Sequence, residues 1–446
     1  MRIFTSSFFI LLLLSLRAQS VNTNTLSYYG LGERAIGNHS IYDALGTNNF
    51  NLLDSAQLNF HNPASYSLMS SGNTLFSVGI YGRMSRYTYN QNSEDQFSAM
   101  ADHFALGFKL RKRMGMSFGL KPFSSRGYSF TQKIYTGTDS IKYVYLGQGG
   151  IQDLFLGFSY GIIQKKSTKI SLGLNASYLF GKVMNEKQAI LIDPNTISGG
   201  IGRNSITVNS FHYEVGAFFR HKMGKRHEFS VSAVIAPRQS ISATSIDELY
   251  IASNINNLAT YDVLDYMNSK GKINVGMEQK YGIAYEFLLP DLKRKTRSLH
   301  PQLTFLFSYS TLNESTPDFE YLTTWKSELA SKIGIGLQFK PEAKLYENIS
   351  TLKTLEKVSY RFGAYSSLLP YTSATGKNYI EQAITAGFGV PILAQQGLSS
   401  LNLSIGLGKR GIDEPGYTNE EFITFNFGVV ISPSSFDRWF RKRKLD

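Results

Sequence analysis

The sequence predicts an all-β protein, a transmembrane antiparallel β-barrel of about 14 strands over residues 73–432. Three observations predict it. Apolar residues alternate with small polar ones through most of the chain, charged residues are only 18% of it, and the connections differ in kind at the two ends of the alternating segments. A strand points successive side chains to opposite faces, so FITFNFGVVI (Phe422 to Ile431) is a strand with one apolar side. Ile423, Phe425, Phe427, Val429 and Ile431 form that side; Thr424, Asn426, Gly428 and Val430 form the other. A soluble sandwich would carry more charge on its wet face than the Gly, Ser and Asn found here. Soluble chains also carry about 25% charged residues. The apolar side is therefore expected to meet outer-membrane lipid.

The elements follow in order. Residues 1–20, MRIFTSSFFILLLLSLRAQS, read as a signal peptide, with Arg2 before an apolar centre and Ala18-Gln19-Ser20 as cleavage site. Residues 21–72 show no sustained period. Fourteen alternating segments follow: 73–90, 101–111, 114–135, 140–164, 168–183, 205–222, 228–245, 273–289, 300–312, 326–340, 357–369, 379–393, 398–409 and 420–432. Within the third, GLKPFSSRGYSF interrupts the alternation. Pro122 has no N–H for a strand interior, and Ser124, Ser125, Arg126 and Gly127 break the period. Either a hairpin turn or one long strand with a bulge accounts for it. Residues 433–446 form a basic tail.

Connections on the rim where the first strand begins are mostly short and basic. Those on the other rim include long loops at 184–204 and 246–272, with a shorter one at 91–100, and are net acidic. Short turns at one end and long loops at the other are the habit of transmembrane barrels. The formal charge of +13 thus spreads along one rim and the tail instead of forming a stripe, so nucleic acid is not expected as a partner.

Catalytic, cofactor and metal signals are weak. Cysteine is absent, which removes disulfides and thiolate chemistry. GLGKRG (Gly406 to Gly411) matches a dinucleotide motif but ends a strand and runs into a turn, where no helix N-terminus can hold a pyrophosphate. The seven histidines show no ligand spacing. Glu214, Glu278, Lys280, Glu286, Lys332 and Arg361 lie in or near strands and read as lumenal ion-pairing groups. No enzyme, cofactor or metal site is expected.

HNPASYS, GLKPFSSRGY, LGQGGIQDLFLGFSYG, LGLNASYLFG, YRFGAYSS, AITAGFGVPI and SFDRWFRKRKLD together resemble the long-chain fatty-acid transporter (FadL-like) family, in the branch found in bacteria with type IX secretion. The short-turn rim, with both termini, is expected in the periplasm. The resemblance implies fourteen strands, an N-terminal hatch (residues 21–72) inside the lumen, and passive uptake of an apolar small molecule through the outer membrane. It assigns Asn62, Pro63 and Ala64 to a hatch motif, and Pro122, Ser124, Ser125, Arg126 and Gly127 to a third-strand kink that releases ligand sideways into the bilayer. A second class of reading is a barrel that does not transport and serves as an accessory or scaffold subunit of an outer-membrane, secretion-type complex. Its support is the loops and the basic tail, which offer surfaces to protein partners.

Overall fold

In a computed structural model, the structure describes residues 25–28, 30–34, 38–70, 74–90, 92–136, 139–192, 197–293, 298–313, 316–318, 329–345, 351–394 and 397–432. The signal peptide, the basic tail and hence the placement of both termini lie outside them.

Fourteen strands form one closed antiparallel barrel. They are β1 (Thr74–Tyr89), β2 (Asn92–Arg111), β3 in two stretches (Met114–Ser125 and Tyr128–Thr136), β4 (Asp139–Gln164), β5 (Thr168–Ile192) and β6 (Ile197–Met223). Then come β7 (His227–Ala236 and Gln239–Ala252), β8 (Tyr261–Val275 and Glu278–Leu288) and β9 (Gln302–Asn313 and Thr316–Asp318). The last five are β10 (Leu329–Lys340), β11 (Ser359–Thr372), β12 (Asn378–Ala394), β13 (Gly397–Gly411) and β14 (Asn419–Ile431). Each strand pairs with the next, and β14 closes on β1 from Phe76↔Ile431 to Thr88↔Asn419. Closure pairs the strands on both sides, as lipid demands of a sheet, except where β2 and β3 part beyond Phe104↔Leu120.

The alternation read from the sequence sets the two faces. On β14, Phe425 and Phe427 are exposed outward, while Phe422, Asn426 and Val430 are buried inward. On the outer face, Gln382, Lys409, Glu421, Arg86 and Asp95 stand side by side across five strands, and Ile384, Leu407, Ile423, Met84 and Phe97 form the adjacent row. The change from charged to apolar within one register step marks the edge of the hydrocarbon band.

The expected long loops are corrected. The ladder of β5 and β6 continues to Ile192↔Ile197, that of β7 and β8 to Ala252↔Tyr261, and residues 92–100 belong to β2. The second stretch of β3 and the distal parts of β4 to β8 thus rise beyond the apolar band as a tall half-wall of paired strands. Backbone pairing continues there because both faces are wet or half-covered, so apolar alternation fades while hydrogen bonding does not. At the third-strand interruption the structure shows the bulged strand, not a turn. Met114–Ser125 and Tyr128–Thr136 both pair with β4, with a register shift between Pro122 and Ser124.

Candidate functional site

The interior is occupied by the N-terminal segment. Asn62 has extended backbone and caps the short 3-10 helix Pro63–Leu68: its side-chain oxygen accepts from the Ala64 N–H at 3.1 Å, and its amide donates to the Phe50 carbonyl at 2.9 Å. Asn62, Pro63 and Ala64 thus form a turn that is fully buried against β5 and β6. Ile41, Tyr42, Leu45, Leu52, Leu58, Phe60 and Tyr66 build an apolar core with wall residues such as Phe155 and Leu306.

Lumenal glycines make room for it. On ten of the fourteen strands an inward glycine abuts the hatch. A Cβ on Gly334 would meet the Gly46 carbonyl oxygen at 2.6 Å, one on Gly336 the Leu45 carbonyl oxygen at 2.7 Å, and one on Gly216 the Asn62 side chain at 2.6 Å. At Gly334 and Gly336 the hatch backbone is therefore seated against wall backbone with no side chain between them.

Ion pairs fasten the same segment. Glu33 accepts from Arg410 at 2.6 Å, Arg34 reaches Glu278 at 3.4 Å, and Asp54 accepts from Lys340 at 2.7 Å. Burial alone would raise the Asp54 carboxyl, but the Lys340 ammonium outweighs it and holds the group down at about 2. Arg410 also pairs with Glu381, and Arg83 bridges Glu420 at 2.8 Å, so the second charge of each pair stays compensated. Of the six lumenal groups named from the sequence, four form ion pairs and two are held by neutral partners. Lys121 approaches Glu214 at 3.9 Å, Lys280 pairs with Glu278 at 2.9 Å and Arg220 lies 3.5 Å from Glu286. Lys332 sits over the Tyr365 ring, and Arg361 donates to Gln338 and Asn402.

The third-strand interruption is where the wall is incomplete. β2 pairs with β3 only as far as Phe104↔Leu120; among the described residues, β3 beyond that point is laddered to β4 and not to β2. The chain's own residues 27–28 and 30–34 lie there. Glu33 and Arg34 form a two-residue strand on Ser125 and Ser124. The buried Arg126 guanidinium donates to the carbonyls of Ser27 at 3.0 Å and Gly30 at 2.5 Å. Ser124 Oγ donates to the Leu31 carbonyl, and the Gly127 N–H donates to Ser27 Oγ at 3.1 Å. Pro122, Ser124, Ser125, Arg126 and Gly127 are thus gathered around one bound segment. Beside it lies a chamber of about 250 Å³ whose lining mixes Phe50 and Phe123 with Lys121, Asp153, Glu278 and Lys280.

One constellation escaped the sequence reading. Ser77 Oγ lies 2.7 Å from His103 Nε2, and His103 Nδ1 lies 2.6 Å from Asp102. Two adjacent residues both point inward because β2 bulges there: Gly79 pairs with His103 and Ile80 with Ala101, leaving Asp102 unpaired. The hydroxyl is fully buried, with Phe60 and His39 packed on the imidazole, so no acyl group can reach it. The line anchors the hatch to the β1–β2 wall. GLGKRG, for its part, is the end of β13 and contributes inward Arg410.

The sequence model of the BamG family matches residues 1–446. The chain belongs to the BamG family. That name differs from the fatty-acid transporter label suggested by the sequence resemblance, and no curated protein matches the sequence. Solved structures share the fold of this BamG-family chain. One is the CymD monoaromatic hydrocarbon channel (9% identity, TM-score 0.50, covering 90% of this chain and 99% of that one). Another is a Pseudomonas aeruginosa FadL homologue (12%, 0.50, 93% and 98%), and a third the P. putida toluene transporter TodX (12%, 0.51, 90% and 99%). At such identities the likeness shows the shared barrel fold and no more.

Proposed function

We propose that this BamG-family barrel is a closed accessory subunit of an outer-membrane protein complex, acting through its surfaces and not by conduction, with its short-turn rim and both termini in the periplasm. The observation that carries this reading is that residues 27–28, 30–34 and 38–69 of the N-terminal region occupy both the lumen and the gap beside β3, seated on wall glycines and held by Glu33–Arg410, Arg34–Glu278 and Asp54–Lys340. The charged lining of the remaining chamber supports it too, since an alkyl chain entering there would strip water from ionic groups without replacing it.

Native mass spectrometry of the gently extracted protein, with lipid extraction of the same sample, tests this. Stoichiometric protein partners and no displaceable apolar ligand are expected. A lone barrel carrying a fatty acid or hydrocarbon that added long-chain fatty acid displaces would overturn it.

The unpaired flank of β3 favours a second reading, passive transport of a hydrophobic small molecule with lateral release past Pro122 to Gly127. In that reading residues 27–28 and 30–34 are a gate that ligand displaces, and uptake stops when Gly127→Val and Pro122→Val fill the gap. Normal uptake by that folded variant would remove it.

A further inference from the structure

Above the packed lumen, the half-wall formed by β3 to β8 keeps a lumenal face that nothing among the described residues covers. Its lower part is buried: Val183, Ile206 and Ala243 close the lumen in an apolar cluster with Leu31 of the N-terminal segment. Four or more residues further along each strand the same face changes. One cross-strand row runs Phe130, Tyr145, Lys187, Gly202, Leu249, Asp265; the next contains Ala189, Gly200, Ile251 and Asp262. Phe130, Leu249 and Ile251 are exposed there, beyond the apolar band, where water and not lipid surrounds them.

Two further features say what fits this face. Inward glycines such as Gly115, Gly173, Gly334, Gly336 and Gly363 lie under hatch backbone, whereas a Cβ on Gly202 would meet nothing within 4 Å, and one on Gly200 only a carbonyl oxygen at 3.8 Å. These are seats of the same kind without an occupant. At the β8 side of both rows stand Asp262 and Asp265, exposed and without an ion-pair partner among the described residues. Lys187, the cation on the face, is turned onto the Tyr143 and Tyr145 rings.

We infer that this face docks an extended segment of a partner protein. Its backbone lies along Gly200 and Gly202, its apolar side chains meet Phe130, Leu249 and Ile251, and its Lys or Arg residues pair with Asp262 and Asp265. The inference rests on the accessory-subunit reading and locates its partner on the extracellular side. Backbone seats set the fit, and the paired carboxylates select a basic segment over an acidic one.

The cysteine-free chain makes the test direct. Gly202→Cys reports on the face, and Ser242→Cys, on the opposite face of the half-wall, is the control. Labelling by a membrane-impermeant maleimide is timed in intact cells and in extracted, partner-free protein. Labelling at position 202 is expected to be about tenfold slower in cells, as for a site occupied with about 1.4 kcal/mol of protection, with no difference at 242. Adding Asp262→Lys and Asp265→Lys should restore the fast rate in cells. Equal rates in both preparations, protection that persists in the lone protein, or protection indifferent to charge reversal would each overturn the inference. If the protein extracts with stoichiometric partners yet position 202 is unprotected, this docking face alone fails. If it extracts alone, the accessory reading fails with it.

Discussion

Gly173 and Gly202 are both small residues on the lumenal face, and their surroundings give opposite expectations. A Cβ at 173 would run into the Pro63 and Ala64 backbone, which cannot rotate away; at 202 it would meet open space. Gly173→Val should therefore destabilise the folded barrel by about 1–3 kcal/mol through overpacking. Gly202→Ala should stay within about 0.5 kcal/mol of native. Urea unfolding of each variant in detergent checks both, and equal effects would mean the hatch does not bear on the wall. Asp54 gives a pH prediction. Its folded value of about 2 lies below the ordinary carboxylate range, so its pair with Lys340 contributes fully above about pH 4 and is lost as pH falls through 2. Asp54→Asn should be less stable than native at pH 6 by about 2 kcal/mol, with the difference closing below pH 3. A constant difference across that range would separate Asp54 from the ion pair. Such effects were only partly legible in the sequence. The glycines were visible as small inward residues, but their necessity depends on a hatch backbone that no local pattern announces. The Ser77–His103–Asp102 line was invisible because a bulge turns Asp102 inward against strict alternation.

At the scale of elements, residues 27–28 and 30–34 behave as the missing neighbour of β3. Their bonds to Ser124, Arg126 and Gly127 span roughly a hundred residues of sequence, which is why the interruption at GLKPFSSRGY could be read as a bulge while its occupant could not. Arg126→Met should remove charge-assisted hydrogen bonds worth about 1.5–3 kcal/mol and raise amide exchange of residues 27–28 and 30–34 about ten- to a hundredfold, leaving β14 protected. Unchanged exchange in that segment would show that packing alone holds it. The fourteen strands themselves were legible, since lipid on one side and the hatch on the other enforce a two-residue period. The tall hairpins of β5–β6 and β7–β8 were mistaken for loops because water on the outer face relaxes that period, as in Asn185-Glu186-Lys187 and Ser198-Gly199-Gly200.

For the whole molecule, the outward stripe of β14 fixes how the barrel sits in its bilayer. Phe427 is the middle of five outward apolar residues, so Phe427→Arg should cost about 2–4 kcal/mol when folding into lipid vesicles is titrated with urea. The same substitution at Glu421, beside Arg86 and Lys409 at the band's edge, should cost at most about 1 kcal/mol. Similar penalties at both positions would contradict the assigned depth.

The glycine seating has a mechanical consequence. A hollow barrel can flatten or change its strand tilt when the membrane around it thins or thickens. This one carries an insert packed directly on glycines of ten of its strands, and any change of cross-section would drive wall into insert. Its shape is fixed from within. When it meets a bilayer of another thickness, the lipid must stretch or compress to match it.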